Sequence, residues 1–268
     1  MNATIVFHAG LLAYALSAGF FLAHLVHATP RRERIARRAL VVGFLLNGAA
    51  VAARMASLAL SGGGLFRLDE ALSLVAFLLA GAWLLFDRWY RIPTLGAFAT
   101  PLIVAMLLPA HAIPGASTGA SRGLGPLLPL HVAVSIGGFA LFALGFVVAL
   151  MYLLLERELK AKRPGAMFKR LPSLEALDRL NYQLVLLGFL LLTVTIGTGA
   201  FFYRGDDGLV FSMRTKEGFA LVAWLVAALV VLFRQTVGWR GRRVAWATMA
   251  GFVLMGVAFA GIFTGSSV

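Results

Sequence analysis

The sequence has no cysteine in 268 residues. That absence excludes disulfides, Cys-ligated zinc, iron–sulfur clusters and thiol relays from the chain's own chemistry. Charge is scarce too: 13% of residues are charged, where a soluble domain carries about 25%. Acidic residues are the rarest part of that set, 11 against 24 Lys and Arg, for a net charge of +13. There is no P-loop, no Ser-His-Asp arrangement and no paired catalytic carboxylates, so the common hydrolytic and phosphoryl-transfer devices are missing. The hydrophobic share is 60%. These figures exclude an ordinary soluble enzyme and a disordered or nucleic-acid-binding tail.

The apolar residues are collected into long runs. A helix crossing a bilayer needs about 20 mostly apolar residues. Eight runs qualify, approximately Thr4–Ala28, Ala39–Ser61, Leu68–Phe86, Thr94–Ile113, Pro129–Leu155, Asn181–Tyr203, Gly218–Arg234 and Val244–Thr264. The expected fold is all-α, a polytopic integral membrane helical bundle of about eight transmembrane helices. The first run lacks basic residues ahead of it and is followed by Arg31, Arg32, Arg34, Arg37 and Arg38, the reverse of a cleavable signal peptide.

Positive charge orients the spans. Eighteen of the 24 Lys and Arg fall in the loops after spans 1, 3, 5 and 7 or at their edges, and five fall on the other side. Lys and Arg accumulate in cytoplasmic loops, so both termini are expected outside. The excess charge is then topology, and nucleic acid is an unnecessary partner. The lipid bilayer is the expected one. The loops are short, which predicts a single membrane domain over residues 1–268. The longest outer loop, His111–Leu128, is rich in Gly, Pro and Ser. On the inner side LPSLEALDRL, with Leu174, Leu177 and Leu180 at helical spacing, reads as a short interfacial helix feeding span 6.

Five histidines fall near span ends. His8, His111 and His131 lie towards the outer face, and His24 and His27 share one side of span 1 at the inner face. A neutral imidazole at a membrane interface either anchors a helix end or ligates a metal, haem iron above all. His111 and His131 end consecutive helices joined by one loop, so they are the candidate axial pair. His24 and His27 stay open between a second inner site and plain anchoring. Zinc finds no His-x-x-x-His or His-Glu cluster to organise it. Arg54 lies inside span 2, about 10 Å from its outer end by helical rise. It either snorkels to headgroups or pairs with an anionic ligand group such as a haem propionate. Gly238–Arg243, GWRGRR, reads as an interfacial anchor attracted to anionic lipid.

Three stretches resemble the cytochrome c assembly family, in its CcsA/ResC and HemX/YpjD-like branches. They are LHVAVSIGGFALFALGFVVALMYLLLERELK (Leu130–Lys160), LDRLNYQLVLLGFLLLTVTIGTGAFF (Leu177–Phe202), and KEGFALVAW (Lys216–Trp224) followed by GWRGRRVAW (Gly238–Trp246) and a last apolar span. They fill most of residues 130–264. The resemblance implies a bacterial inner-membrane protein with periplasmic termini that presents haem b, held non-covalently, at the periplasmic face. Other assembly subunits or apocytochrome c would be its partners. In such proteins a Trp-rich, Asp-containing segment lies against the haem between two outward histidines. His131 matches the first of these, and Lys216 and Glu217 match the Lys-Glu closing the Trp-rich segment. The resemblance therefore implies His131 at the iron, with Lys216 and Glu217 beside the cofactor; placement alone makes His111 the other axial candidate and Arg54 a candidate propionate partner.

The departures point to the HemX/YpjD-like branch. Phe211-Ser212-Met213-Arg214-Thr215 stands where synthetase-type members carry Trp-Ser-Trp-Asp-Pro. No histidine follows the last span, and Phe233 and Arg234 occupy the place of a transmembrane histidine near the end of span 7. These losses favour haem handling or an accessory role over synthetase catalysis. They also admit a non-enzymatic scaffold that regulates a haem-biosynthetic or transport partner.

Overall fold

The structure, a computed structural model, describes residues 3–60, 68–90, 92–112, 128–162, 170–202 and 215–264. They form eight helices: α1 (Ala3–Val26), α2 (Pro30–Leu60), α3 (Leu68–Tyr90), α4 (Pro93–Ala112), α5 (Leu128–Lys160), α6 (Leu174–Phe202), α7 (Thr215–Thr236) and α8 (Arg242–Thr264). Five of these, α1, α2, α3, α5 and α6, are long and apolar enough to cross a membrane, and α4 and α7 contain shorter apolar stretches. The chain is a polytopic helical membrane protein. Two compact units divide it: residues 1–115 with 155–172, and residues 116–154 with 173–268.

The first unit packs α1–α4 through aromatic rings set on bare backbone. Tyr14 lies over Gly43, Phe21 against Gly96 and Phe77 over Gly48; a Cβ at any of the three glycines would sit within 3.0 Å of a ring atom. Lipid tails are as apolar as leucine, so helices here associate by such close packing and by hydrogen bonds rather than by escape from water. At two places in this unit buried polar residues are paired across helices. Ser73 Oγ donates to Asn47 Oδ1 at 2.6 Å while Asn47 Nδ2 donates to the Ser73 carbonyl at 3.1 Å, both buried. Asp87, 2% exposed, is paired with Arg37, which also reaches Glu33 at 3.1 Å.

The basic residues after span 1 have structural work as well as topological meaning. Helix α2 begins at Pro30, well ahead of the apolar run, because proline suits the first helical turn and the basic segment continues the helix into water. Arg32 donates to the carbonyls of Ala23 and His27 at 3.2 Å each. Arg170 donates to the carbonyls of His24, at 3.0 Å, and Leu25. Two guanidinium groups therefore close the end of α1, where carbonyls lack helical partners and cations are favoured.

In the second unit α5 is the most enclosed candidate span, 67% of its apolar window being buried. Gly138 brings it against the Gly188 carbonyl and Leu191 of α6, and Phe142 lies over Gly188. One sequence expectation needs correction. Leu174–Leu180 is not a separate interfacial helix; it is the first two turns of α6. Leu177 and Leu180 are fully buried and Asp178 is nearly so, because their face packs on protein instead of lying on lipid. The turn from α7 to α8 then uses two left-handed glycines, Gly238 at φ 72° and Gly241 at φ 68°, positions that disfavour any side chain.

Candidate functional site

His131 stands in the first turn of α5, with Ser135 one turn later on the same face. Opposite them on α6 are Thr195 and Thr198. Each hydroxyl of this group first satisfies its own helix. Ser135 Oγ donates to the His131 carbonyl at 2.6 Å, Thr195 Oγ1 to the Leu191 carbonyl at 3.0 Å, and Thr198 Oγ1 to the Val194 carbonyl at 2.8 Å. Two close contacts then cross between the helices. His131 Nδ1 lies 2.8 Å from Thr198 Oγ1, and Ser135 Oγ lies 3.2 Å from Thr195 Oγ1. Gly199 adjoins the imidazole, since a Cβ there would stand 3.7 Å from His131 Cε1. His131 itself is half-buried. The result is an imidazole held by one nitrogen against a two-helix scaffold, an arrangement suited to ligating a metal through the other.

Two further side chains meet near the middle of α6. Trp224 Nε1 donates to Thr193 Oγ1 at 2.8 Å, and its ring stacks on Phe189 with centroids 5.6 Å apart. Thr193 is exposed at this point, so the indole contact satisfies a polar pair inside an apolar span.

The other end of the second unit has a different chemistry. Asp178 Oδ2 is 2.9 Å from Arg234 Nη2, and Asp178 Oδ1 accepts the Gly241 backbone N–H at 2.6 Å. The Arg234 guanidinium also lies 4.3 Å from the Tyr182 ring centroid. This is the region where the family resemblance placed a transmembrane histidine. Here it is an ionic latch between α6, α7 and the turn into α8.

The remaining sequence candidates divide sharply. Arg54 is brought to Glu70 of α3, an ion pair through Nε, and its guanidinium also reaches Ser57 Oγ at 3.5 Å. His24 Nδ1 lies 3.1 Å from the Thr29 carbonyl, which ties it to the α1–α2 turn. His27 is exposed, its carbonyl taken by Arg32. His8 makes an edge contact with Phe7 at 5.7 Å. The backbone of His111 ends α4 and that of Lys216 and Glu217 opens α7, but their side chains lie outside the described residues, as do residues 113–127 and 211–214. Of the proposed axial pair, only His131 has its surroundings described.

Sequence reasoning passed over Thr198, Ser135 and Thr195. Of the nearby glycines, Gly197 faces open space and Gly199 adjoins His131. A signal was present in the spacing. Ser135 follows His131 by four residues and Thr198 follows Thr195 by three, so each pair shares a helix face.

Known proteins share this architecture. The Cytochrome C assembly protein family matches residues 65–264, beginning well upstream of the stretch from 130 that carries the sequence resemblance. The cytochrome c biogenesis protein CcsA of Parasynechococcus marenigrum (strain WH8102) is 30% identical over 225 residues, 73% of this chain and 72% of that one. Inner membrane protein YpjD of Escherichia coli (strain K12) is 27% identical over 258 residues, 94% of each chain. Among solved structures, cytochrome c heme lyase CcmF aligns with a TM-score of 0.66 at 16% identity, over 97% of this chain. That likeness is one of fold, and this chain spans only 48% of the lyase. With three quarters of its length matched by the family and a relative at 30% identity, the chain belongs to the cytochrome c assembly protein family.

Proposed function

We propose that this protein handles haem in cytochrome c biogenesis, holding haem b non-covalently at the periplasmic face of a bacterial inner membrane. His131 is the axial ligand on which the reading rests. Its support is the anchored imidazole described above, at the end of α5 that the distribution of Lys and Arg assigns to the periplasm. The donor chemistry fits one axial position of a haem iron: imidazole nitrogen, half-buried, with glycine beside the ring. Bound haem would supply an iron centre and a pair of reactive vinyl groups for attachment to an apoprotein. The chain's own part is to bind, orient and shield it. His111 remains the second axial candidate, and Lys216 and Glu217 remain candidate neighbours. Arg54 would have to leave Glu70 to meet a propionate.

Titration of hemin into the detergent-purified protein tests this. Saturable binding that His131→Ala abolishes supports the reading, and equal binding by both proteins contradicts it.

A second reading is favoured by Phe211-Ser212-Met213-Arg214-Thr215, which lacks the Trp pair and Asp of synthetase-type members. It makes the protein a HemX-like scaffold that regulates a haem-biosynthetic or transport partner, with no catalysis of its own. A partner retained by haem-free protein would support it. Restoration of holocytochrome c in an assembly-deficient strain would oppose it.

A further inference from the structure

We infer that Thr198 is a positioning residue that fixes His131 in the Nδ1–H tautomer and so reserves Nε2 for the iron. The inference rests on the haem-handling reading for its consequence, but its geometry stands without it. A threonine hydroxyl has one proton and two lone pairs. We assign the Thr198 proton to its own helix, where the Val194 carbonyl at 2.8 Å and the Thr195 carbonyl at 3.0 Å offer two acceptors against the single ring nitrogen. Its oxygen therefore faces His131 Nδ1, 2.8 Å away, with a lone pair. A hydrogen bond at that distance requires the proton on Nδ1. A neutral imidazole protonated there carries its lone pair on Nε2, the form a metal accepts.

The same bond sets the plane of the ring. Gly199, next in sequence, lies against its Cε1 edge, and one turn further in Ser135 Oγ approaches Thr195 Oγ1 at 3.2 Å. Ligating histidines generally donate their second ring N–H to an oxygen acceptor, and loss of that acceptor weakens metal affinity by about 10–100-fold. Thr198 is such an acceptor, supplied by a helix whose own backbone polarises its hydroxyl.

The test uses the full-length protein in detergent with histidine labelled with ¹⁵N, and needs no haem for its first arm. His131→Ala identifies the His131 resonances by their disappearance. The wild type is expected to show His131 as the Nδ1–H tautomer, and Thr198→Val, nearly isosteric, to shift it towards Nε2–H. Thr198→Ser should restore the wild-type tautomer, which a purely packing role for the threonine methyl would not. An Nε2–H tautomer in the wild type, or one unchanged in Thr198→Val, overturns the inference. The second arm measures hemin affinity and the midpoint potential. Thr198→Val should bind about 10–100-fold more weakly, with a more positive potential because the less basic imidazole donates less to ferric iron. Loss of hemin binding in His131→Ala with wild-type affinity and potential in Thr198→Val would remove the positioning role alone. Hemin binding indifferent to His131→Ala, with the tautomer as expected, would remove the haem-handling reading and leave the tautomer assignment standing.

Discussion

The two ends of the second unit carry polar groups of opposite character. At the Asp178 end, charge meets charge: the carboxylate is engaged on both oxygens, by Arg234 and by the Gly241 N–H, and only about a tenth of its side chain is exposed. At the His131 end an imidazole and three hydroxyls meet across two helices, half-exposed and with no carboxylate or guanidinium among them. A carboxylate with both oxygens taken has little left to offer a ligand, and breaking such a buried pair is costly. A histidine tied by one nitrogen keeps the other for chemistry. The difference teaches where to look: an ionic latch holds helices together, whereas an imidazole held by one nitrogen is equipped to bind.

This contrast can be broken in order of expected effect. Asp178→Ala should cost the most stability, about 3–5 kcal/mol, because it strands the Arg234 guanidinium and releases the turn at Gly241. Thermal unfolding in detergent measures it, and a loss under about 1 kcal/mol would mean the latch is not structural. His131→Ala should be mild by the same assay, about 1 kcal/mol, since one neutral hydrogen bond is lost. A large destabilisation there would make His131 a packing residue. Arg54→Ala should be smallest. Its pair with Glu70 is 42% exposed on the arginine side, and exposed pairs contribute about 0–1 kcal/mol. Hemin affinity should also be unchanged in Arg54→Ala; a fall would show that Arg54 leaves Glu70 for a propionate.

The spans were legible in the sequence because bilayer thickness imposes their length, and each expected run lies within or closely overlaps one of the eight helices. What lay beyond the apolar runs was less so. The basic segment before Ala39 is helical from Pro30, since helix propensity does not stop where hydropathy does. The burial of LPSLEALDRL against protein is not legible in its pattern, because an apolar face looks the same whether it meets acyl chains or another helix. The candidate site was half legible. His131 announces itself as an imidazole at a span end, but Thr198 is 67 residues away, and its role depends on the register of α5 against α6. Arg54 stands out in the sequence as a lone cation inside an apolar run. Its partner Glu70 could not be chosen, because a single sequence does not say which acidic side chain a folded loop returns.

The haem ligand is the centre of this account, and the absorption spectrum of the protein as purified from haem-replete cells tests it most directly. Wild type and the latch variant Asp178→Asn should both show a Soret band, and His131→Ala should lose it while remaining folded. No Soret band in the wild type, or an equal band in folded His131→Ala, would contradict the account.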